Sequence, residues 1–334
     1  MKEITTVGLD LAKNVFQIHG VDAEGVVVVR RQVKRAQVLL FFSRLRPCLI
    51  GMEACAGAHH WARELAKFGH DVRLIPPSYV KPFVRRGKTD AADAEAICTA
   101  VTQPTMRFVS VKTEAQQAVL MQHRTRDFLV RQLTQLANAI RAHLGEFGLV
   151  APKGAHNMNR LVTEAEAADL PAEARMPLDL LAQQFRDTKA RIEAITADLR
   201  HAAEADETAR RLQTMPGIGP ITASVLAATL PDVAAFRTAR DLPAWLGLTP
   251  KPHSSGGKDR PGSISKMGNR YIRRLLYLGA MGVISTRKRS DPGDDWLGRL
   301  IARKPLKVAA IALANRMARA VWAMLRTGES WCVA

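Results

Sequence analysis

The order of the first five apolar runs most constrains what this 334-residue chain can fold into. Ile4 to Leu9 is a short apolar run ending at Asp10, and Val15-Phe16-Gln17-Ile18-His19 follows after a turn. Val26 to Arg31 is a third, β-branched run behind the turn signal Asp22-Ala23-Glu24-Gly25. Together they predict a three-stranded meander. Gln37 to Leu45 reads as a helix, and Cys48-Leu49-Ile50-Gly51-Met52 as a buried strand that ends at Glu53. Ala58 to Phe68 reads as a helix stopped by Gly69. Asp71-Val72-Arg73-Leu74-Ile75 is a fifth strand, closed by Pro76-Pro77. With the helix that follows, the order is β-β-β-α-β-α-β-α, which predicts an α/β sheet with carboxylates at strand ends.

That last helix is introduced by Gly87-Lys88-Thr89-Asp90-Ala91-Ala92-Asp93-Ala94-Glu95. Thr89 is placed to cap it, and the Ala-rich run to Ala100 favours helix. Asp90 and Asp93 are three apart and share one face of the first turn, about 5–6 Å from each other. Acids also gather at helix N-termini simply because the helix dipole favours them there. Asp10 and Glu53, however, end strands that should be neighbours, so four carboxylates converge. Buried acids are costly unless paired or bound to metal. A donor set made only of oxygen matches Mg2+ or Mn2+, ions that polarise a phosphodiester. The alternative is that Asp10 and Glu53 are ordinary surface acids. His59 and His60 follow Glu53 and read as packed or solvated side chains rather than ligands.

Charge points to the polymer that such a site would meet. The net charge is +18, and a chain this basic most often meets a polyanion, nucleic acid first. Only 5% of residues are aromatic, which favours phosphate contacts over base stacking. From residue 251 onward, 17 Lys and Arg stand against 5 Asp and Glu, so two-thirds of the excess lies in the last quarter. A solvated helix face mixes signs; this imbalance predicts a phosphate-facing surface. Cys48, Cys55, Cys98 and Cys332 show neither a C-x-x-C pair nor zinc spacing, and are expected as buried small side chains in a reducing cytosol. The first apolar run is broken by Asp10 and Lys13, and no 18-residue apolar run exists, so neither a signal peptide nor a membrane span is expected.

Glu114 to Leu144 is helical in pattern, with Leu129, Leu133, Leu136 and Ile140 forming a seam of the coiled-coil kind. Ala151 to Pro177 is broken by Pro152, Gly154, Pro171 and Pro177 and reads as a loop-rich connection. A second seam follows through Leu178, Leu181, Phe185, Thr188, Ile192, Ile195 and Leu199. The two helices can pair within the chain or between subunits. Met215-Pro216-Gly217-Ile218-Gly219-Pro220-Ile221-Thr222 is the turn of a helix-hairpin-helix, whose N–H groups can hold a phosphate; any tight interhelical turn would use glycine too. Asp241 to Leu248 is a short helix, Thr249 to Gly262 a loop containing Ser254-Ser255-Gly256-Gly257, and Tyr271 to Val283 a basic helix.

With these residues in place, the chain resembles the DEDD-type transposases of bacterial insertion sequences. These are the bridge-RNA-guided serine recombinases, related to the pilin-gene invertases. The likeness rests on Gly8-Leu9-Asp10-Leu11-Ala12-Lys13, Met52-Glu53-Ala54 and Lys88-Thr89-Asp90-Ala91-Ala92-Asp93-Ala94. It rests equally on Pro216-Gly217-Ile218-Gly219, Gly247-Leu248-Thr249-Pro250, Ser254-Ser255-Gly256 and Ile264-Ser265-Lys266-Met267-Gly268. The resemblance implies an RNase H-like (RuvC-like) α/β domain over residues 1–110. A helical coiled-coil connector over 111–205 and a mainly α transposase domain over 206–334 would follow. It implies that Asp10, Glu53, Asp90 and Asp93 bind Mg2+ or Mn2+, and that Ser255 attacks the DNA phosphate, with Ser254 one position away. Lys258, Arg260, Lys266, Arg270, Arg273 and Arg274, with Gly217 and Gly219, are expected at nucleic acid. The implied partners are donor and target DNA, a structured non-coding bridge RNA, and further copies of the chain in a dimer or synaptic tetramer. In that assembly the acid site of one protomer meets the serine of another. The implied location is the bacterial cytoplasm, at the nucleoid.

Two rival functions fit the same residues. One is a metal-dependent endonuclease of the Holliday-junction type, with water as nucleophile and Ser255 idle. The other is a nucleic-acid-binding protein without catalysis.

Overall fold

The computed structural model describes residues 3–84, 89–152, 154–252, 261–290 and 293–332. The chain forms two compact units, Met1–Gln117 and Ala118–Ala334.

The first unit is built on strands β1 (Thr6–Asp10), β2 (Val15–Val21) and β3 (Val27–Lys34), followed by helix α1 (Val38–Ser43). Strand β4 (Leu49–Glu53), helix α2 (Ala58–Ala66), strand β5 (Asp71–Ile75) and helices α3 (Pro77–Val80) and α4 (Asp90–Val101) complete it. The sheet order is β3-β2-β1-β4-β5. The first three strands form the expected antiparallel meander, whereas β1–β4 and β4–β5 pair in parallel. The short helix α3 was not expected after Pro76-Pro77. Pro77 occupies its first turn, where a missing N–H costs nothing.

Strand alternation divides the sheet into two faces. Val7 and Leu9, Phe16 and Ile18, and Ile50 and Met52 turn one way, onto Phe42, Trp61, Ala62 and Leu65. Burying each such side chain contributes roughly 1.5–3 kcal/mol. On the opposite face Gly8 and Gly51 are direct register partners, and α4 lies across them.

Among the described residues the second unit is mainly helical, with one two-stranded hairpin. Its helices are α5 (Glu114–Gly145, which begins in the first unit), α6 (Met158–Ala167), α7 (Ala172–Ala205), α8 (Glu207–Gln213), α9 (Pro220–Thr229) and α10 (Asp241–Trp245). The antiparallel strands β6 (Pro250–Pro252) and β7 (Pro261–Ile264) come next. Helices α11 (Arg270–Ser290), α12 (Trp296–Arg303) and α13 (Leu306–Thr327) end the unit.

The loop expected over 151–177 is instead largely helical. Met158, Leu161, Val162 and Ala165 of α6 repeat at helical spacing and are buried. Pro171 stands as the N-cap of α7, and Pro177 lies inside it near its start. The prolines therefore mark a helix start rather than a long irregular stretch. The two seams meet within the chain, because Ile140 and Leu144 of α5 share a core with Leu178, Ala182 and Phe185 of α7. Arg126 donates to Thr196 Oγ1 at 2.7 Å further along, so the two helices run antiparallel.

The larger core gathers α8 to α13 around Leu212, Leu226, Leu242, Leu276, Met317 and Val321. Helix α13 is long and apolar enough by length and composition to cross a membrane, yet its face from Ala309 to Met324 packs into this core.

Candidate metal centre

Three local features bring carboxylates together in the first unit. Asp10 ends β1 and Glu53 ends β4, immediately beyond the paired residues Leu9 and Met52, so the two acids leave neighbouring strands side by side. They follow Gly8 and Gly51 by two positions and therefore share the face toward α4. Thr89, in extended backbone, caps α4 by accepting the Ala92 N–H at 3.2 Å. That cap starts the helix where Asp90 and Asp93 fall in its first turn.

Carboxylate oxygens of Asp10, Asp90 and Asp93 lie within 4.8 Å of one another. Glu53 is outside that trio but close enough for its charge to act on Asp10. The Asp10 carboxyl is pushed up to about 6, first by burial and then by the charges of Asp93, Asp90 and Glu53. A group held in this way favours either a proton or a cation.

The histidines next to the site serve structure. His59 Nδ1 accepts the backbone N–H of Lys112 at 3.2 Å, and the His60 ring packs edge-on to Trp61. The cysteine expectation holds only in part. Cys48 and Cys98 are buried, but Cys55 and Cys332 are exposed. Cys55 follows Glu53 by two residues, and partial desolvation together with the Glu53 and Asp10 charges raises its thiol above the ordinary range. An exposed position two residues past a strand end has no sequence signature that separates it from a buried one.

In the second unit Gly217 adopts φ +88°, and a Cβ there would stand 3.0 Å from the Gly279 carbonyl oxygen. Its primary use is thus a close backbone approach to α11. Gly219, the N-cap of α9, faces open space. Gly217, Ile218, Gly219, Gly279, Gly282 and Thr286 line a groove of about 810 Å³. Asn269 Oδ1 accepts the N–H groups of Tyr271 and Ile272 and so starts α11. Lys266 and Arg270 are exposed.

Arg273 and Arg274 are engaged within the unit. Arg273 Nη1 donates to the carbonyls of Leu246 at 2.8 Å and Met267 at 2.7 Å. Arg274 pairs with Asp127 and lies over the Tyr271 ring. Ser254, Ser255, Lys258 and Arg260 lie outside the described residues.

Comparison with known proteins agrees along the whole length. Residues 7–148 match the DEDD transposase model of the IS110 group, described as a transposase. Residues 209–292 match the model described as the transposase IS116/IS110/IS902 family. The protein named "probable family 20 transposase" of Pseudomonas aeruginosa is 48% identical, over 96% of this chain and 97% of its own. The transposase for insertion sequence element IS1328 of Yersinia enterocolitica is 41% identical over 98% of each chain. That for IS1111A of Coxiella burnetii is 38% identical over 99% of this chain and 92% of its own. Agreement this extensive, on a chain whose acids already converge, places it: the chain belongs to the IS116/IS110/IS902 family and is the transposase of an insertion sequence of that family.

Proposed function

We propose that this transposase is a bridge-RNA-guided DNA recombinase whose first unit is an RNase H-like, RuvC-like catalytic domain that holds Mg2+ or Mn2+. The observation that carries the reading is the approach of the Asp10, Asp90 and Asp93 carboxylates to within 4.8 Å. Strand order β3-β2-β1-β4-β5, with acids at the ends of the adjacent strands β1 and β4, supports it.

The donor set fits a hard dication. It is all oxygen, and its members repel one another when ionised. Asp10, Asp90 and Asp93 would hold the ion, with Glu53 beside them. Bound there, it supplies positive charge to a scissile phosphodiester and to the attacking and leaving oxygens. The chain contributes position: the Thr89 cap and the Gly8/Gly51 seat fix where the carboxylates point.

Ser255 is the proposed nucleophile. Its Oγ bonds to phosphorus, the bond from phosphorus to the leaving sugar oxygen breaks, and the serine proton ends on that oxygen. The resulting phosphoserine link retains the phosphodiester energy, so rejoining needs no ATP. The support is the family resemblance and the place of residues 253–260 between β6 and β7 in the most basic part of the sequence. Lys258, Arg260, Lys266 and Arg270, with the N–H groups around Gly219, are proposed to meet phosphates of donor DNA, target DNA and bridge RNA. Arg273, Arg274 and Gly217 support that surface from behind. The active form is proposed as a homo-oligomer, dimer or synaptic tetramer, acting in the bacterial cytoplasm at the nucleoid.

A suicide-nicked target tests the reading. Protein, RNA, Mg2+ and this DNA should yield a protein–DNA adduct on a denaturing gel, mapping to Ser255 by peptide mass. The adduct should persist in Ser254→Ala and vanish in Ser255→Ala, in Asp90→Ala, in Glu53→Ala and in excess chelator. Cleavage by Ser255→Ala at the wild-type rate, with no adduct in either protein, decides for the endonuclease that uses water. Full recombination in chelator removes the metal.

A further inference from the structure

Strand β2 carries a polar residue that the reaction as described leaves unused. Gln17 is the direct register partner of Asp10 across the antiparallel β1–β2 ladder. Directly opposed residues put their side chains on the same face, with Cβ atoms about 4.5–5.5 Å apart. Gln17 therefore stands beside Asp10 on the face that α4 covers. It is only 7% exposed. Among the described residues its side-chain amide makes no hydrogen bond, and it is not one of the fully enclosed unsatisfied groups, so solvent reaches it. A nearly buried amide that meets no protein partner and touches only solvent beside the carboxylates has its donors free for them. His19, two residues on, lies opposite Gly8; burial above all lowers it below the ordinary imidazole range, and the charges that act on it are those of Glu95 and Arg30. Gln17 is thus the uncharged donor at the level of the acids.

We infer that Gln17 is a positioning residue for the acid site. Its amide N–H groups donate to Asp10 and hold the Asp10 carboxylate turned toward Asp90 and Asp93 when a divalent cation is bound. The chemistry follows from the donor inventory. A glutamine offers two N–H groups and no charge, so it can orient a carboxylate without competing for the cation. Neighbours that hydrogen-bond a metal ligand commonly set metal affinity by 10–100-fold. The inference rests on the acid site being a divalent-cation centre.

Mn2+ binding to the full-length protein without nucleic acid tests it, with free Mn2+ read by electron paramagnetic resonance. The variants are Gln17→Met, which keeps length and removes both polar atoms, and Gln17→Glu, which keeps the oxygen and removes the donor. Asp10→Ala is the control. Wild type should bind, Asp10→Ala should not, and both Gln17 variants should bind about tenfold more weakly or worse. The metal-free thermal melt of Gln17→Met should stay near wild type, which separates weaker binding from misfolding, whereas Gln17→Glu adds a carboxylate to a repelling cluster and is expected to melt lower. Unchanged affinity in both variants overturns the inference. Tighter binding by Gln17→Glu also overturns it, making Gln17 a ligand through its oxygen. If wild type and Asp10→Ala bind Mn2+ equally, the metal-site reading fails first, and this role fails with it. Asp10-dependent binding that ignores Gln17 defeats this role alone.

Discussion

Gly8 lies directly under Ala94, with no room for a side chain: a Cβ on Gly8 would stand 2.1 Å from the Ala94 carbonyl oxygen. One turn further along α4 it would meet the Cys98 backbone nitrogen at 2.5 Å, so the obstacle is helix backbone, which cannot turn aside. Its register partner Gly51 is crowded differently, by the side chains of Val101 at 2.8 Å and Ile97 at 3.1 Å. The glycine pair is the seat on which α4 rests, and that seat sets the height of Asp90 and Asp93 over Asp10.

Unequal costs follow for the two glycines. Gly8→Ala should destabilise the first unit by about 3 kcal/mol or more, because backbone must move. Gly51→Ala should cost less, about 1–3 kcal/mol, because its overlap with the Val101 Cβ and Ile97 Cγ2 is shallower, although the Val101 Cβ moves only with its helix. Denaturant melts followed by Trp61, the first unit's tryptophan, measure both. Gly51→Ala should also keep Mn2+ binding better than Gly8→Ala. Equal losses at the two positions would remove the seat as the reason for the glycines.

Asp10 makes the metal-free protein sensitive to pH in an unusual direction. Its carboxyl is raised from 3.8 to about 6, so the folded state holds a proton that the unfolded chain has already released. The stability associated with that proton is complete below pH 3.8 and is lost as pH rises through about 6. Ionised Asp10 then costs up to about 3 kcal/mol at pH 7, an upper figure for a partly exposed group. Asp10→Asn should therefore be more stable than wild type at pH 7 without metal, and indistinguishable at pH 4. Mg2+ should raise the melting temperature of wild type and leave Asp10→Asn unmoved. A variant less stable than wild type at pH 7 without metal contradicts the assignment.

The parts of this architecture legible in the sequence are those written in local code. Strand β5 begins and ends at the residues expected, because β-branched and leucine residues alternate between a glycine and a proline pair. The Thr89 cap was legible for the same reason: a hydroxyl before an alanine run has one good use. Helix α6 is hidden in the sequence because four prolines and glycines around it outweigh an apolar repeat of only about two turns. Gly8 is legible as part of a motif and Gly51 as part of a strand, but neither is explained by the sequence, since their reason lies across space in α4. Arginines resist reading most. Arg270 and Arg273 look alike in a basic helix, but one is exposed and the other ties down two carbonyls.

His123 gives the second unit a pH response of the opposite sign. It is buried between α9 and α11, with Nε2 3.1 Å from Ser224 Oγ and Nδ1 3.3 Å from the Tyr271 hydroxyl. Burial, reinforced by the Arg126 charge, depresses it from 6.5 to about 4. Between those values the unfolded chain takes up a proton that the folded protein refuses, so stability falls as pH drops from 6.5 to about 4. The loss amounts to about 3 kcal/mol at full extent. Trp245, Trp296, Trp322 and Trp331 report on this unit by fluorescence. The slope of stability against pH in this window should flatten in His123→Gln. An equally steep slope in the variant would assign the loss to other groups.

The basic helix offers a sharper test than its net charge does, because its arginines do different things. An exposed Lys or Arg on a phosphate releases counterions on binding, so removing it lowers the salt dependence of affinity by about one power of salt. Arg270 and Lys266 are exposed and available for this. Arg273 spends one nitrogen on Leu246 and Met267, and in doing so ties the start of α11 to the segments on either side of the β6–β7 hairpin. Truncating it leaves two carbonyls without that charged donor, a change worth about 1.5–3 kcal/mol of stability. Arg270→Ala and Lys266→Ala should each reduce the salt slope of DNA binding and leave the melting temperature nearly unchanged. Arg273→Ala should lower the melting temperature while the salt slope stays at its wild-type value. Binding isotherms at several salt concentrations, paired with melts, separate the two classes. A flatter slope in Arg273→Ala with an unchanged melt would place Arg273 on the phosphates and return the clasp to the backbone alone.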